Sequence, residues 1–265
     1  MAELKYTNLF TERESNELYT LDLFSDANLQ GYWRMESGAL TTDNSGNSKT
    51  LTNNNTVGEG TGKFGGAADF SATNSDKYLD IADDLGITGG AITISCWVKL
   101  NTEIGSGTWD FVSQSDAGTF TIYTIRYDYN GGTRRIGFVR NKNNVATEVV
   151  WLNTTMGTSN WYNLVLTYNG TNMTGYIDAS AGTPTAMSGN GNTAGADAIS
   201  IGASMGWNAG GTKLFYASAL IDDVAIFDRA LTDVEVAILY NDPTATANKL
   251  KFYRRNRIPG DITGT

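Results

Sequence analysis

The sequence predicts an all-β fold, an antiparallel jelly-roll β-sandwich, and three observations carry that reading. Short apolar or alternating runs recur from Leu29 onward, the pattern of strands buried on one face. Clusters of Gly, Asn, Asp and Ser separate them, and the 265 residues hold 30 Gly but only 3 Pro, which suits a chain of tight turns. Helical patterns do not alternate with the strands, which argues against a doubly wound α/β sheet. A hydrophobic content of 40%, with 11% aromatic, supplies a sizeable core, and an all-β domain of this length often folds as one unit.

Residues 1–28 read as an N-terminal docking arm. Thr11-Glu12-Arg13-Glu14 has the form of a capping box, and Leu18, Leu21 and Phe24 follow at near-helical spacing. The expectation is a short helix whose apolar face is too small to fold alone and must dock. The sandwich is expected over residues 29–242. Its strands are Gly31 to Met35, Ala67 to Phe70, Tyr78 to Ile81, Ala91 to Leu100, Phe120 to Tyr129, Arg135 to Arg140, Thr147 to Leu152, Trp161 to Tyr168, Thr174 to Ile177, Ala198 to Ile201 and Leu220 to Phe227. A second capping box, Thr232-Asp233-Val234-Glu235, opens a short helix that Asn241-Asp242-Pro243 ends, since the residue before Pro avoids the helical region. Residues 243–265 form a basic C-terminal extension. Phe252 and Tyr253 are interleaved there with Arg254, Arg255 and Arg257, a mixture of rings and charge that suits docking onto another protein.

Composition narrows the function. The net charge is −9, which disfavours nucleic acid, because phosphate binding needs clustered Lys and Arg. No segment is apolar over the length that a bilayer requires, and Met1-Ala-Glu-Leu-Lys-Tyr lacks the basic and apolar signature of a signal peptide. The chain has no His, which removes Ser-His-Asp and Cys-His catalysis and His-based zinc sites. The single cysteine, Cys96, lies in an alternating strand and reads as a small buried hydrophobe.

Four segments, in order, carry a family resemblance: Gly31-Tyr32-Trp33-Arg34-Met35-Glu36 with Thr42-Asp43-Asn44-Ser45-Gly46-Asn47, Gly62 to Phe70 with Lys77 to Ile81, Ile92 to Lys99, and Asn160 to Gly170 with Gly175 to Asp178. The stretch Ala219 to Thr232 fits the closing strand and turn. The chain resembles the laminin-G-like jelly rolls of the concanavalin A-like lectin/glucanase superfamily. The resemblance implies two stacked, curved antiparallel sheets over residues 29 to 242. It departs from the family at Asp178-Ala179-Ser180, where an Asp-Gly turn is usual.

Three kinds of site are candidates. Catalysis is not expected: a glycoside hydrolase needs two carboxylates flanking one bond, whereas Asp222 and Asp223 are neighbours expected on opposite faces of a strand, and Glu148 is alone. A structural Ca²⁺ is a candidate cofactor. Asp43 and Asn47 lie in an oxygen-rich turn of the kind hard cations favour, and the resemblance implies that the Asp222 region lies near it; Glu36 is a further candidate. A surface glycan would be gripped by Trp207, Trp109, Tyr127, Tyr129 and Arg126, with Trp151 and Arg140 nearby in sequence. The expected function is a non-enzymatic binding or structural module. The leading reading is a bacteriophage virion surface protein, a head decoration or tail appendage, joined to other subunits through both arms. The alternative is a secreted, extracellular carbohydrate-binding or adhesion module.

Overall fold

The computed structural model describes residues 18–21, 23–70, 76–87, 90–116, 121–142, 146–187, 196–205, 212–241 and 250–253. The strands begin with β1 (Leu18–Leu21), β2 (Leu29–Trp33), β3 (Thr52–Asn54), β4 (Gly58–Thr61), β5 (Gly66–Asp69), β6 (Tyr78–Ile81) and β7 (Ile92–Leu100). Next come β8 (Gly107–Asp116), β9 (Thr121–Asn130), β10 (Thr133–Lys142), β11 (Ala146–Leu152), β12 (Tyr162–Tyr168) and β13 (Asn172–Ile177). The remainder are β14 (Ser180–Ala181), β15 (Thr185–Ala186), β16 (Ala196–Ile201), β17 (Ser204–Met205), β18 (Lys213–Leu214), β19 (Ala219–Phe227) and β20 (Leu250–Tyr253). One helix, α1 (Asp233–Asn241), follows β19.

Two antiparallel sheets stack as a jelly-roll sandwich. The seven-stranded sheet has the order β11-β10-β9-β8-β16-β6-β3, and the nine-stranded sheet runs β14-β13-β12-β7-β19-β5-β4, with β2 added on β19 and β15 on β13. The period of two decides which side chains meet between them. On β7, Ile92, Ile94, Cys96, Val98 and Leu100 face the main core, where they meet Ile125, Tyr127, Ile136 and Phe138 of the other sheet. Burial pushes the Cys96 thiol well above its ordinary range, so it is inert packing material. The opposite face of the nine-stranded sheet carries a second cluster, in which Val165, Tyr176, Ala225 and Phe227 meet Val236, Ile238 and Leu239 of α1 and Leu23 from the short 3₁₀ turn Leu23–Ser25.

The capping box forms as read. Glu235 N–H donates to Thr232 Oγ1 (3.4 Å), and Thr232 N–H donates to Glu235 Oε2 (2.8 Å). Glu235 also binds Arg229, which pairs with Asp26, so the helix is tied to the chain that precedes β2. The departure at Asp178 is settled too. Asp178 and Ala179 both adopt the left-handed conformation, φ 51° and 60°, which makes a turn of type I′ without glycine.

Two expectations are corrected. The docking helix is absent where Leu18 and Leu21 were to lie on it: Leu18–Leu21 is a strand, paired antiparallel with Leu250–Tyr253. Pairing with a distant segment overrides a weak local helical spacing. Thr11 to Glu14 lie outside the described residues. Strand β8 was not anticipated, because Asp110, Ser113, Gln114 and Ser115 interrupt its apolar run, yet all four are buried. Among the described residues no helix is long and apolar enough to cross a membrane.

Candidate functional site

A single cross-strand row organises the face of the seven-stranded sheet that points away from the core. Asp110 on β8 lies opposite Arg126 on β9, Arg126 opposite Gly137 on β10, and Gly137 opposite Trp151 on β11. Arg126 donates twice to Asp110, Nε to Oδ1 and Nη2 to Oδ2, each at 3.0 Å. Asp110 is fully buried and also accepts the Ser204 hydroxyl at 2.5 Å. Such a bidentate pair fixes the guanidinium plane, while the remaining Arg126 N–H groups have no partner among the described residues.

Aromatic rings flank this arginine. Phe215, 37% exposed, lies with its ring 5.6 Å from the guanidinium, and its carbonyl accepts the Asp110 N–H. Its backbone is left-handed, φ 56°, a conformation that a bulky residue rarely adopts. On the other side Trp151 lies over Gly137, and Arg135 stacks on its ring at 3.7 Å. Arg135 in turn pairs with Asp128, which also accepts the Thr108 hydroxyl. Trp151 and Asp110 stand three strands apart, about 14 Å at the usual strand spacing. Further along this face, Lys213 bonds the Ser200 hydroxyl and lies 3.6 Å from Asp80; burial lowers its affinity for a proton and Asp80 opposes that.

The glycan candidates divide by strand periodicity. Arg126 is on the outward face. Tyr127 is one residue on and therefore points inward: it is fully buried, with its hydroxyl accepting the Met156 N–H at 2.9 Å, which removes it from any surface ligand. Trp109 and Tyr129 share that inward face and pack against the core as half-buried rings. Arg140 is fully buried too, with its guanidinium over Tyr168. Trp207 lies outside the described residues, as do Arg254, Arg255 and Arg257; Phe252 and Tyr253 fall in β20. Phe215, Asp110 and Ser204 were not singled out in the sequence; the left-handed backbone of Phe215 is a signal only a structure displays.

The calcium candidates do not come together as expected. Both Asp43 oxygens are engaged: Oδ1 accepts the N–H groups of Tyr32 and Ser45, and Oδ2 accepts the Ser45 hydroxyl and the Lys49 N–H. Asn47 spends its amide N–H groups on the carbonyls of Leu29 and Gln30. These two residues close an Asx turn onto β2 instead of facing a cation. Glu36 and Asp222 do meet at the turn 62–66: Glu36 Oε2 accepts the Gly66 N–H, and Asp222 Oδ2 accepts those of Lys63 and Phe64. Among the described residues no three Asp, Glu or Cys side chains are grouped so as to hold a metal ion, so the set does not fit a preformed cation cage.

Asp222 and Asp223 also overturn the expectation that neighbouring residues stay apart. The β19–β7 register shifts between Asp222 and Ala225, and Asp223 is left-handed at φ 45°. This bulge buries both carboxyls, at 0% and 3% exposure. Burial first, then the negative charge of Asp222, pushes Asp223 up to about 8; burial first, with Glu36 adding to it, raises Asp222 to about 7. The Tyr32 hydroxyl donates to Asp223 Oδ1 at 2.7 Å, while Asp222 Oδ1 and Asp223 Oδ2 have no partner among the described residues. Protonation can neutralise such a pair without metal.

A model of the laminin-G type, described as the concanavalin A-like lectin/glucanases superfamily, matches residues 73–237. The chain belongs to this family. A search of curated proteins by sequence finds no match. Among solved structures, the chain is similar to domain 4 of AbnA, an extracellular arabinanase from Geobacillus stearothermophilus, in complex with arabinotriose. The TM-score is 0.60 at 18% identity, covering 81% of this chain and 98% of that one. It is also similar to the binding domain of botulinum neurotoxin DC in complex with rat synaptotagmin II (TM-score 0.63, 15% identity, 83% of this chain and 52% of that one). A third is a structure of botulinum neurotoxin type C, whose cell entry is dependent upon interaction with two ganglioside molecules (0.63, 14%, 83% and 52%). The chain thus spans about half the length of these toxin domains. At such identities the likeness establishes the sandwich and nothing finer.

Proposed function

We propose that the protein is a non-enzymatic glycan-binding module that takes its ligand on the outer face of the seven-stranded sheet. The observation that carries this is Arg126, locked by buried Asp110 and placed between the rings of Phe215 and Trp151. Sugars present apolar C–H faces beside hydroxyl groups, and a site of aromatic surface with a few fixed donors suits both. A donor already held in one rotamer loses little freedom on binding. Among the described residues Asp110 and Asp128 are each engaged by an arginine and a hydroxyl, so this face offers no free carboxyl pair to serve as acid and nucleophile. The arabinotriose complex of the arabinanase domain supports the glycan reading by analogy. A glycan array tests it. Saturable binding to wild type, lost in Phe215→Ala and Trp151→Ala, is the expected result; silence across the array, or binding indifferent to both substitutions, overturns it.

A second reading concerns attachment, and the β1–β20 pairing favours it. Both terminal segments meet in one two-stranded ribbon. A lone ribbon is marginally stable in water, and its unpaired edges can each add a strand from another chain. On this reading the ribbon seats the module on a larger assembly, such as a phage particle, and leaves the sheet face outward. A secreted, extracellular module would show the glycan binding without assembly.

A further inference from the structure

The nine-stranded sheet carries a separate polar row on the face turned from the main core. Asn163 on β12 lies opposite Trp97 on β7, and Trp97 opposite Asp222 on β19. Their exposures are 0%, 2% and 0%. Each keeps one unspent polar atom among the described residues: the Trp97 indole N–H, Asn163 Oδ1 and Asp222 Oδ1. Buried polar atoms are nearly always satisfied, so three in one row point to something that completes them.

What covers the row shows its chemistry. Phe64 meets the Trp97 ring edge-on, with centroids 5.7 Å apart at 85°, and Tyr240 stacks on it at 5.5 Å and 20°. The Lys63 ammonium sits 4.6 Å from the Trp97 centroid and 5.8 Å from that of Phe64. Lys63 makes no ion pair with a carboxylate among the described residues, and it lies exposed on the turn 62–66. Asp222 pins that turn through the N–H groups of Lys63 and Phe64. The chain's own lysine thus lies over the Trp97 and Phe64 rings, on a turn whose backbone the Asp222 side chain holds. Rings of this kind hold alkylammonium ions through their negative faces.

We propose that Trp97 and Phe64, with Asp222 and Asn163 on the strands to either side of Trp97, form a binding site for an organic ammonium group, and that Lys63 occupies it when no ligand is bound. A primary ammonium can also donate an N–H to Asp222 Oδ1 or to Asn163 Oδ1, which flank Trp97 on the two neighbouring strands; a quaternary one relies on the rings alone. The site lies on the other sheet from the proposed glycan face and stands or falls independently of it.

The test follows the Trp97 indole N–H resonance by NMR, assigned through Trp97→Phe, during titration with ethanolamine or choline against matched sodium chloride. Removing the competing lysine raises the fraction of open sites, so Lys63→Ala should bind on the order of tenfold more tightly than wild type. Lys63→Met, which keeps the stem without the charge, should do the same, and Phe64→Ala in the Lys63→Ala background should weaken binding. Stronger binding of ethanolamine assigns recognition to an acceptor oxygen, and stronger binding of choline assigns it to the rings; either supports the site. If neither amine shifts the resonance beyond sodium chloride in the Lys63 variants, the proposal is overturned.

Discussion

Gly137 lies directly across from Trp151, and the indole fills the space that a β-carbon would take: a Cβ on Gly137 would come within 2.5 Å of the ring. The same Cβ would stand 3.0 Å from the Arg126 stem. Gly137→Ala must therefore lift the indole away from the arginine. The expected result is a loss of glycan affinity with the fold retained, at a stability cost of about 1–3 kcal/mol from overpacking. Isothermal titration alongside urea denaturation separates the two effects.

Arg126 has a structural duty as well as its proposed binding one. Truncation in Arg126→Ala leaves the carboxylate of Asp110, itself 0% exposed, with Ser204 as its one side-chain partner among the described residues. Breaking such a pair costs about 3 kcal/mol, because a buried charge is left uncompensated. Asp110→Asn removes that charge, so the double variant Arg126→Ala/Asp110→Asn should recover part of the loss. Denaturant midpoints of the four proteins check this.

The bulge carboxyls give stability a sign with pH. Asp222 and Asp223 titrate near 7 and 8 in the folded chain, above the ordinary 3.8. Between those values the folded state holds more protons than the unfolded one, so stability falls as pH rises. Their contribution is complete below about pH 4 and is lost as pH climbs through the folded values. Melting temperature should drop from pH 6 to pH 9. Asp223→Asn, which keeps an acceptor for Tyr32 and tolerates the left-handed backbone, should flatten the slope. EDTA should leave the curve unchanged; stabilisation by added calcium that grows with pH would show instead that Glu36 and Asp222 take a cation.

The terminal ribbon makes the attachment reading testable. Proline cannot donate to a ladder, so Tyr19→Pro/Thr20→Pro should separate Leu18–Leu21 from Leu250–Tyr253. If the ribbon carries self-assembly, sedimentation of the variant shifts to the monomer while the melting temperature of the sandwich holds. A wild type that sediments as a monomer at every concentration would exclude self-association through this ribbon.

The sequence by itself determined the sandwich. Strands such as Tyr78–Ile81 and Ala219–Phe227, and the helix opened by Thr232 and Glu235, were legible because alternation and capping are local properties. It did not determine which side chains share a surface. β8 was missed because its buried Asp110, Ser113 and Gln114 read as a loop; residues distant in the chain supply their partners, Arg126 and Ser204 for Asp110 and the carbonyls of Ala203 and Asp84 for Ser113 and Gln114. Leu18–Leu21 read as helix because its partner lies more than two hundred residues away. Tyr127 and Arg126 looked alike in sequence, yet the register sent one into the core and the other to the surface. A single bulge turned Asp222 and Asp223 from opposed neighbours into one interacting pair. Local pattern fixes elements, but only the pairing of distant strands decides which residues meet, and the candidate sites are made of such meetings.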